Sequence, residues 1–253
     1  MTQTHANLGG VSLAYLEAGE PDGPLVTLVH GFASNASVNW VETGWVRHLA
    51  RAGYRVIAPD NRGHGASQKF YDRHDYSVEI MSADIVALWD TLGVKSSLLV
   101  GYSMGARISL RLSGLFSERI ERLSIGGNGD AIVKDRSDWQ RVADALLAAA
   151  DNDPSISPQG RVFRTFAQRT QSDLPALAAC VLGALAPFTE DEIAAVKTST
   201  LIAVGTDDDV AGDPRVLASL MPDASTISLE GKNHMSAVGD RDWKNATLAH
   251  FAA

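Results

Sequence analysis

A single cysteine, Cys180, leaves no partner for an intramolecular disulfide, so the fold does not depend on an oxidising compartment. Cys180 sits in the apolar run Leu177 to Leu182 and reads as a small buried hydrophobe rather than a nucleophile. Positive charge is also scarce. Lys and Arg total 22 against 30 Asp and Glu, for a formal net charge of −8, and no Lys/Arg run is present. The overall field therefore repels nucleic acid and anionic membrane surfaces. No uninterrupted apolar stretch reaches the roughly 20 residues a membrane span needs. Met1 to Gly10 is polar, with neither a basic nor an apolar region of the signal-peptide type, and a cytoplasmic location is the expectation. Internal repeats and low-complexity tracts are absent. What is present is 253 residues, 45% apolar and 21% charged. That composition fits one large, two-sided α/β domain with an insertion and argues against disorder.

Short apolar runs alternate with helical patterns. Val11 to Ala18, Leu25 to Val29, Tyr54 to Ala58, Ser97 to Val100 and Ile120 to Ile125 read as strands. Trp45 to Ala52, Val78 to Leu92 and Met104 to Leu115 read as helices, and Gly53 and Gly93 stop the first two. Such alternation predicts a mostly parallel sheet with helices on both faces. The pattern breaks between about Ser137 and Lys197, which is Ala-rich, helical and strandless, with prolines at 154, 158, 175 and 187. It resumes with a strand at Thr200 to Val204, a helix at Pro214 to Leu220, a strand at Ser225 to Leu229 and a helix at Arg241 to Phe251. The expectation is a core of residues 1–136 and 198–253 carrying a helical cap of 137–197.

The strand Ser97 to Val100 runs into Gly101-Tyr102-Ser103-Met104-Gly105 and then a helix. This is G-x-S-x-G in its required context of strand, sharp turn and helix. The turn lifts the Ser103 hydroxyl out of the sheet, and a side chain two positions before or after would collide with the neighbouring strand or helix, so both places are glycine. The amide of Met104 opens the following helix, a position suited to an anion. Another strand ends in His30-Gly31-Phe32, and if it neighbours the first, the amide of Phe32 pairs with that of Met104 as an oxyanion hole. His30 reads as structural. Asp60-Asn61-Arg62-Gly63-His64-Gly65-Ala66-Ser67 is Gly-rich, but no Lys-Ser/Thr and no helix follow, so it is a structural loop rather than a phosphate site. Thr200 to Val204 leads to Asp207-Asp208-Asp209, and the next strand leads to His234. Ligand sites gather at this edge of a parallel sheet. There His234 is placed to take the Ser103 proton while one carboxylate orients its ring. The acidic triplet does not match a calcium loop, so no metal is expected.

These motifs resemble the α/β-hydrolase superfamily over nearly the whole chain: His30-Gly31-Phe32, Asn61 to Ser67, Gly101 to Gly105, and Asn233-His234. The resemblance implies that the acid lies three residues after Gly205, which points to Asp208, with Asp130 as the alternative some members use. It also assigns the oxyanion amides to Phe32 and Met104. With serine at position 103, aspartate-dependent haloalkane dehalogenases and epoxide hydrolases are excluded. The Phe-Ala-Ser-Asn sequence after His30-Gly31 differs from many lipases, proline iminopeptidases and ring-cleavage C–C hydrolases. The chain is most similar to small esterases, lactonases and cofactor-free haloperoxidase-like hydrolases.

The expected activity is therefore cleavage of a small carboxylic ester or lactone through an acyl-enzyme on Ser103, with no metal or organic cofactor and no nucleic-acid or membrane partner. Two alternatives remain at this point. One is C–C cleavage or a lyase step on the same triad, with Arg161, Arg164 or Arg169 binding a second carboxylate. The other is a ligand-binding receptor with little turnover.

Overall fold

The computed structural model describes residues 2–134 and 138–253. Eight strands form one sheet: β1 (Thr2–Leu8), β2 (Val11–Gly19), β3 (Leu25–Val29), β4 (Arg55–Pro59), β5 (Ser97–Tyr102), β6 (Ile120–Gly126), β7 (Thr200–Gly205) and β8 (Ala224–Leu229). Their order across the sheet is β1-β2-β4-β3-β5-β6-β7-β8. β1 and β2 are antiparallel to their neighbours and the rest are parallel. β5, near the centre, and β7, next to the edge strand β8, are buried at every residue, as expected for strands covered on both faces.

β1 is the one strand the sequence reading omits. Its residues Thr-Gln-Thr-His-Ala-Asn-Leu are mostly polar because it is an edge strand, held only by β2. Gly9 and Gly10, with φ +67° and +109°, make the tight turn between the two. A Gly-Gly pair between strands is a hairpin signal, and it was the available clue.

The helices are α1 (Trp45–Arg51), α2 (Val78–Thr91), α3 (Met104–Leu115), α4 (Trp139–Leu147), α5 (Pro158–Arg169), α6 (Leu174–Ala184), α7 (Glu190–Ala194), α8 (Pro214–Ser219) and α9 (Arg241–Ala252). α1 and α9 share one apolar layer with Trp40, Trp45 and Trp243 packed edge to face. α2, α3 and α8 cover the opposite face. None of the described helices is long and apolar enough to cross a membrane.

α4 to α7 fill the interval between β6 and β7, where the sequence reading placed its strandless block; the first residue of that block, Ser137, lies outside the described residues. Their starts follow local chemistry. Asp138, Ser157, Asp173 and Thr189 each accept a backbone N–H at a helix N-terminus, and Pro158 and Pro175 occupy the first turns. Val142, Leu146, Ala167, Leu177 and Val181 bury the inner sides of these helices in the same cluster as α2 and α3. The block thus lies on that flank and reaches the edge where β3 and β5 end. There the Thr170 hydroxyl donates to Ala33 O at 2.8 Å, and Cys180 Sγ, fully buried, lies 3.9 Å from Met104 Sδ.

Candidate active site

β5 ends at Tyr102 and α3 begins at Met104, leaving Ser103 alone to turn the chain. It does so at φ +53°, ψ −114°, a conformation costing a non-glycine residue of order 1–3 kcal/mol. Surrounding bonds hold it there. Ser103 N donates to Gly126 O at 2.9 Å, and Asn128 Nδ2 donates to Ser103 O at 2.7 Å. The glycines permit the turn: a Cβ on Gly101 would lie 2.5 Å from Gly105 O, and one on Gly105 would run into the backbone of Val29.

Ser103 Oγ lies 3.0 Å from His234 Nε2. Nδ1 of the same ring lies 2.9 and 3.1 Å from the two carboxylate oxygens of Asp208. A carboxylate only accepts, so Nδ1 carries the proton and donates, which leaves Nε2 to accept from the Ser103 hydroxyl. Asp208 is itself fixed. Its Oδ1 accepts from Val210 N at 3.0 Å and Ala211 N at 2.9 Å, and its side chain has no exposed surface.

The loops after β7 and β8 are tied together, which explains why residues 26 apart in sequence meet. Thr206 N donates to Leu229 O, Asp207 N to Lys232 O, and Gly231 N to Thr206 Oγ1. The Asn233 side chain accepts from Met235 N and Ser236 N and so shapes the turn that presents His234. Tyr102 O–H donates to His234 O from the other side. Burial and the neighbouring Asp208 charge push the Tyr102 phenol well above its usual range, so it remains a neutral donor.

Of the acidic triplet only Asp208 turns inward; Asp207 and Asp209 are exposed. Asp130 is buried but elsewhere. Its carboxylate accepts from Asp213 N at 3.0 Å and pairs with Lys134. Among the described residues no three His, Cys, Asp or Glu side chains are grouped to hold a metal ion.

Neither the amide of Phe32 nor that of Met104 meets an acceptor among the described residues. The β3 loop sits close against the elbow, with Gly31 so near that an added Cβ would lie 3.4 Å from Ser103 Cβ. Buried polar groups fix this loop. Asn39 Oδ1 accepts from Gly31 N at 3.0 Å. His30 Nε2 accepts from Asn61 N at 2.9 Å, and Nδ1 donates to Gly31 O at 2.8 Å. The Asp60 carboxylate accepts from Ala36 N and Ala66 N, both at 2.8 Å, and so joins the β3 loop to the Asn61–Ser67 loop. Burial lowers His30 to about 4 and His64 to about 3, the latter helped by repulsion from His30, so both imidazoles stay neutral at ordinary pH. Their placement accords with the structural reading of both segments.

Two cavities meet at Ser103. A small one, of about 50 Å³, lies on the side of Met104, Arg107 and Asn128. A large one, of about 540 Å³, lies on the side of His234, Met235 and Val238. Phe163 of α5 borders both, and Val162 and Phe166 border the large one. Arg161, Arg164 and Arg169 border neither. Arg161 donates to Asp151 O and Asp153 O, and Arg164 pairs with Asp151 and donates to Ala145 O and Leu146 O. Sequence reasoning missed the parts played by Asn128 and Asn39, which depend on contacts between distant loops, and named Asp60 only as part of a structural loop. Asn128 and Asp60 had a local clue, their places just after β6 and β4 at the sheet edge where sites collect.

This sheet order, with an elbow serine at the end of its central strand, defines an α/β-hydrolase architecture. The family model described as alpha/beta hydrolase fold matches residues 24–152, half of the chain, and the chain belongs to that family. Among curated proteins it is 36% identical to epoxide hydrolase A of Mycobacterium tuberculosis over 119 residues, which is 47% of this chain and 36% of that protein. The chain thus matches little more than a third of that relative's length. Among solved structures, a hydrolase from Pseudomonas aeruginosa superposes with TM-score 0.82 at 23% identity, covering 99% of this chain and 98% of that one. The enol-lactonase from Burkholderia xenovorans superposes with TM-score 0.77 at 24% identity, covering 99% and 100%. At such identities the superpositions establish the fold alone. The family match includes Phe32, Ser103 and Met104, whereas Asp208 and His234 lie beyond it.

Proposed function

We propose that this protein is a serine hydrolase that cleaves a carboxylic ester or lactone, with Ser103 as nucleophile, His234 as base and Asp208 as the group that orients it. The supporting observation is the unbroken hydrogen-bonded path from Ser103 Oγ through His234 to Asp208, at a strained elbow that opens on two cavities. Ser103 Oγ adds to the substrate carbonyl carbon while its proton passes to His234 Nε2. The carbonyl oxygen becomes an oxyanion held by the amides of Phe32 and Met104. As the carbonyl re-forms, the bond to the leaving oxygen breaks and that oxygen takes the proton from Nε2. Water then repeats the sequence on the acyl-enzyme and frees Ser103.

Residues 138–197 act on this reading as a cap, since α5 borders both cavities. The activity in the name of the M. tuberculosis relative is not carried over, because epoxide opening by an aspartate nucleophile needs that residue where Ser103 stands. A fluorophosphonate probe tests the proposal. Stoichiometric labelling at Ser103, with parallel loss of ester turnover, is expected. Turnover that survives full labelling overturns it.

A further inference from the structure

The two cavities differ in size by about tenfold and both border Ser103, the small one lined by Met104 and Asn128 and the large one by His234 and Met235. Resting on the serine-hydrolase reading, their assignment to the two halves of the substrate follows from the proton. The leaving oxygen has to be protonated by His234 Nε2, so the leaving group lies on the His234 side. His234 borders the large cavity and not the small one. The acyl group is then directed away from His234, past Met104, into the small compartment.

We infer that this protein selects a short acyl group, of about two to four carbons, joined to a large apolar leaving group. The small compartment has room for only a few heavy atoms, and Trp139, Phe163 and Leu185 border it. Its polar side carries Arg107 and Lys134. Arg107 donates to Leu185 O and Ala186 O, and Lys134 pairs with Asp130. An acyl chain long enough to reach them would set methylenes against charged groups and displace their partners. The large compartment is mostly apolar, with Val38, Val162, Phe166, Met235 and Val238 on its walls. Val162 and Met235 are themselves 59% and 50% exposed, so the apolar wall continues out to the protein surface. A long or polycyclic alcohol can fill the cavity and run along that rim. For a lactone, the same division places the bulky substituent on the carbon that bears the ring oxygen.

The test is a matrix of esters assayed for kcat/KM. One series keeps p-nitrophenol as leaving group and runs from acetyl to butyryl to octanoyl. The other keeps acetyl and runs from ethyl to hexyl to 1-naphthylmethyl alcohol. We expect at least a tenfold fall from acetyl to octanoyl and at least a tenfold rise from ethyl to naphthylmethyl. Trp139→Ala should raise the octanoyl-to-acetyl ratio at least fivefold, with Leu185→Ala as a second opening of the same compartment should the first variant misfold. Val238→Trp should lower the naphthylmethyl-to-ethyl ratio by a similar factor. Labelling by the fluorophosphonate with turnover that favours octanoyl esters, or that ignores the alcohol, overturns this inference and leaves the serine mechanism standing. Absence of both labelling and turnover across the matrix overturns the mechanism and the inference together.

Discussion

The strand ends and the helical block contribute to the same site by different physics. At the strand ends, each group of the proposed triad and oxyanion hole is fixed by hydrogen bonds, from the buried ones on Asp208 and the Gly31–Ala36 loop to the exposed one of the Asn233 turn: Asp208 by two amides, the His234 turn by Asn233 and Tyr102, and the Gly31–Ala36 loop by Asn39 and Asp60. Where these bonds are buried, on Asp208 and on the Gly31–Ala36 loop, a displaced group loses partners that water does not replace, so the geometry has little freedom. The helical block gives the cavities mainly apolar side chains, Val162, Phe163 and Phe166, whose contacts are interchangeable by volume. The contrast suggests that chemistry resides in the sheet edge and substrate range in the helices. Changes at the edge should therefore cost rate, and changes in the helices should redistribute substrates.

The largest effect should come from Ser103→Ala, which removes the proposed nucleophile. Ester turnover should fall by at least about 10⁴-fold, with an unaltered circular dichroism spectrum. Retention of a tenth of the wild-type rate by a verified sample would refute the role given to Ser103.

Asp208→Asn should follow, with a loss of about 10³–10⁴-fold in kcat, because an amide neither stabilises the imidazolium nor fixes the tautomer in which Nδ1 donates. Asp207→Asn and Asp209→Asn, at exposed carboxylates, should stay within about threefold of wild type. Asp130→Asn separates stability from rate. Its carboxylate accepts from Asp213 N and pairs with Lys134, so the change should lower unfolding free energy by about 1–3 kcal/mol and leave kcat comparatively intact. Equal kcat losses in Asp208→Asn and Asp130→Asn would contradict the assignment of the acid.

Acid should act on the sheet edge before it acts on the helices. In the unfolded chain histidines take up protons below about pH 6.5. In the folded chain His30 does so only near 4 and His64 only near 3. Between those limits the unfolded state binds more protons, so stability falls as pH drops, by about 1.4 kcal/mol per pH unit for each histidine. Urea unfolding at pH 7 and pH 5 measures the slope. His64→Gln removes the contribution of His64 and should flatten the slope by that amount; an unchanged slope in that variant argues against a neutral buried His64.

The same division governs what could be read from the sequence. Ser103 and Asp208 were legible as candidates because each follows a buried apolar strand at a short interval, whereas His234 follows β8, of which only Leu229 is buried, and stood out by its Asn233-His234 motif. Even so, the three adjacent aspartates could be sorted only by family resemblance, since choosing among them depends on which side chain turns inward at a loop. The strandless character of the helical block was legible too. Which of its side chains reach Ser103 was not: Phe163 and Arg164 are adjacent, yet the first borders both cavities and the second turns toward Asp151. Helix periodicity gives a buried side, but the partner of that side is a tertiary fact. β1 escaped for the opposite reason, as an edge strand with almost no apolar pattern, betrayed only by its Gly-Gly turn.

Phe163 is where the contrast is most exposed to failure. It belongs to α5, but its ring meets the ring of Phe32 edge-on at 5.7 Å and that of Trp139 at 6.0 Å. The amide of Phe32 is half of the assigned oxyanion hole, so Phe163 touches both the lining and, at one remove, the chemistry. Phe163→Ala removes apolar wall from both cavities and should lower kcat/KM for a bulky acetyl ester about five- to thirtyfold, equivalent to about 1–2 kcal/mol of lost contact. If the helices set substrate range alone, the loss is uniform binding and appears mostly as a raised KM. Two attachments hold the Gly31–Ala36 loop from outside the helical block, Asn39 on Gly31 N and Asp60 on Ala36 N. They should keep the Phe32 amide in place when the ring is gone. A fall in kcat as large as that in kcat/KM, repeated with a small acetyl ester that does not fill the large cavity, would mean that α5 holds the oxyanion hole itself. The boundary between chemistry and range would then run through the helical block rather than along the sheet edge.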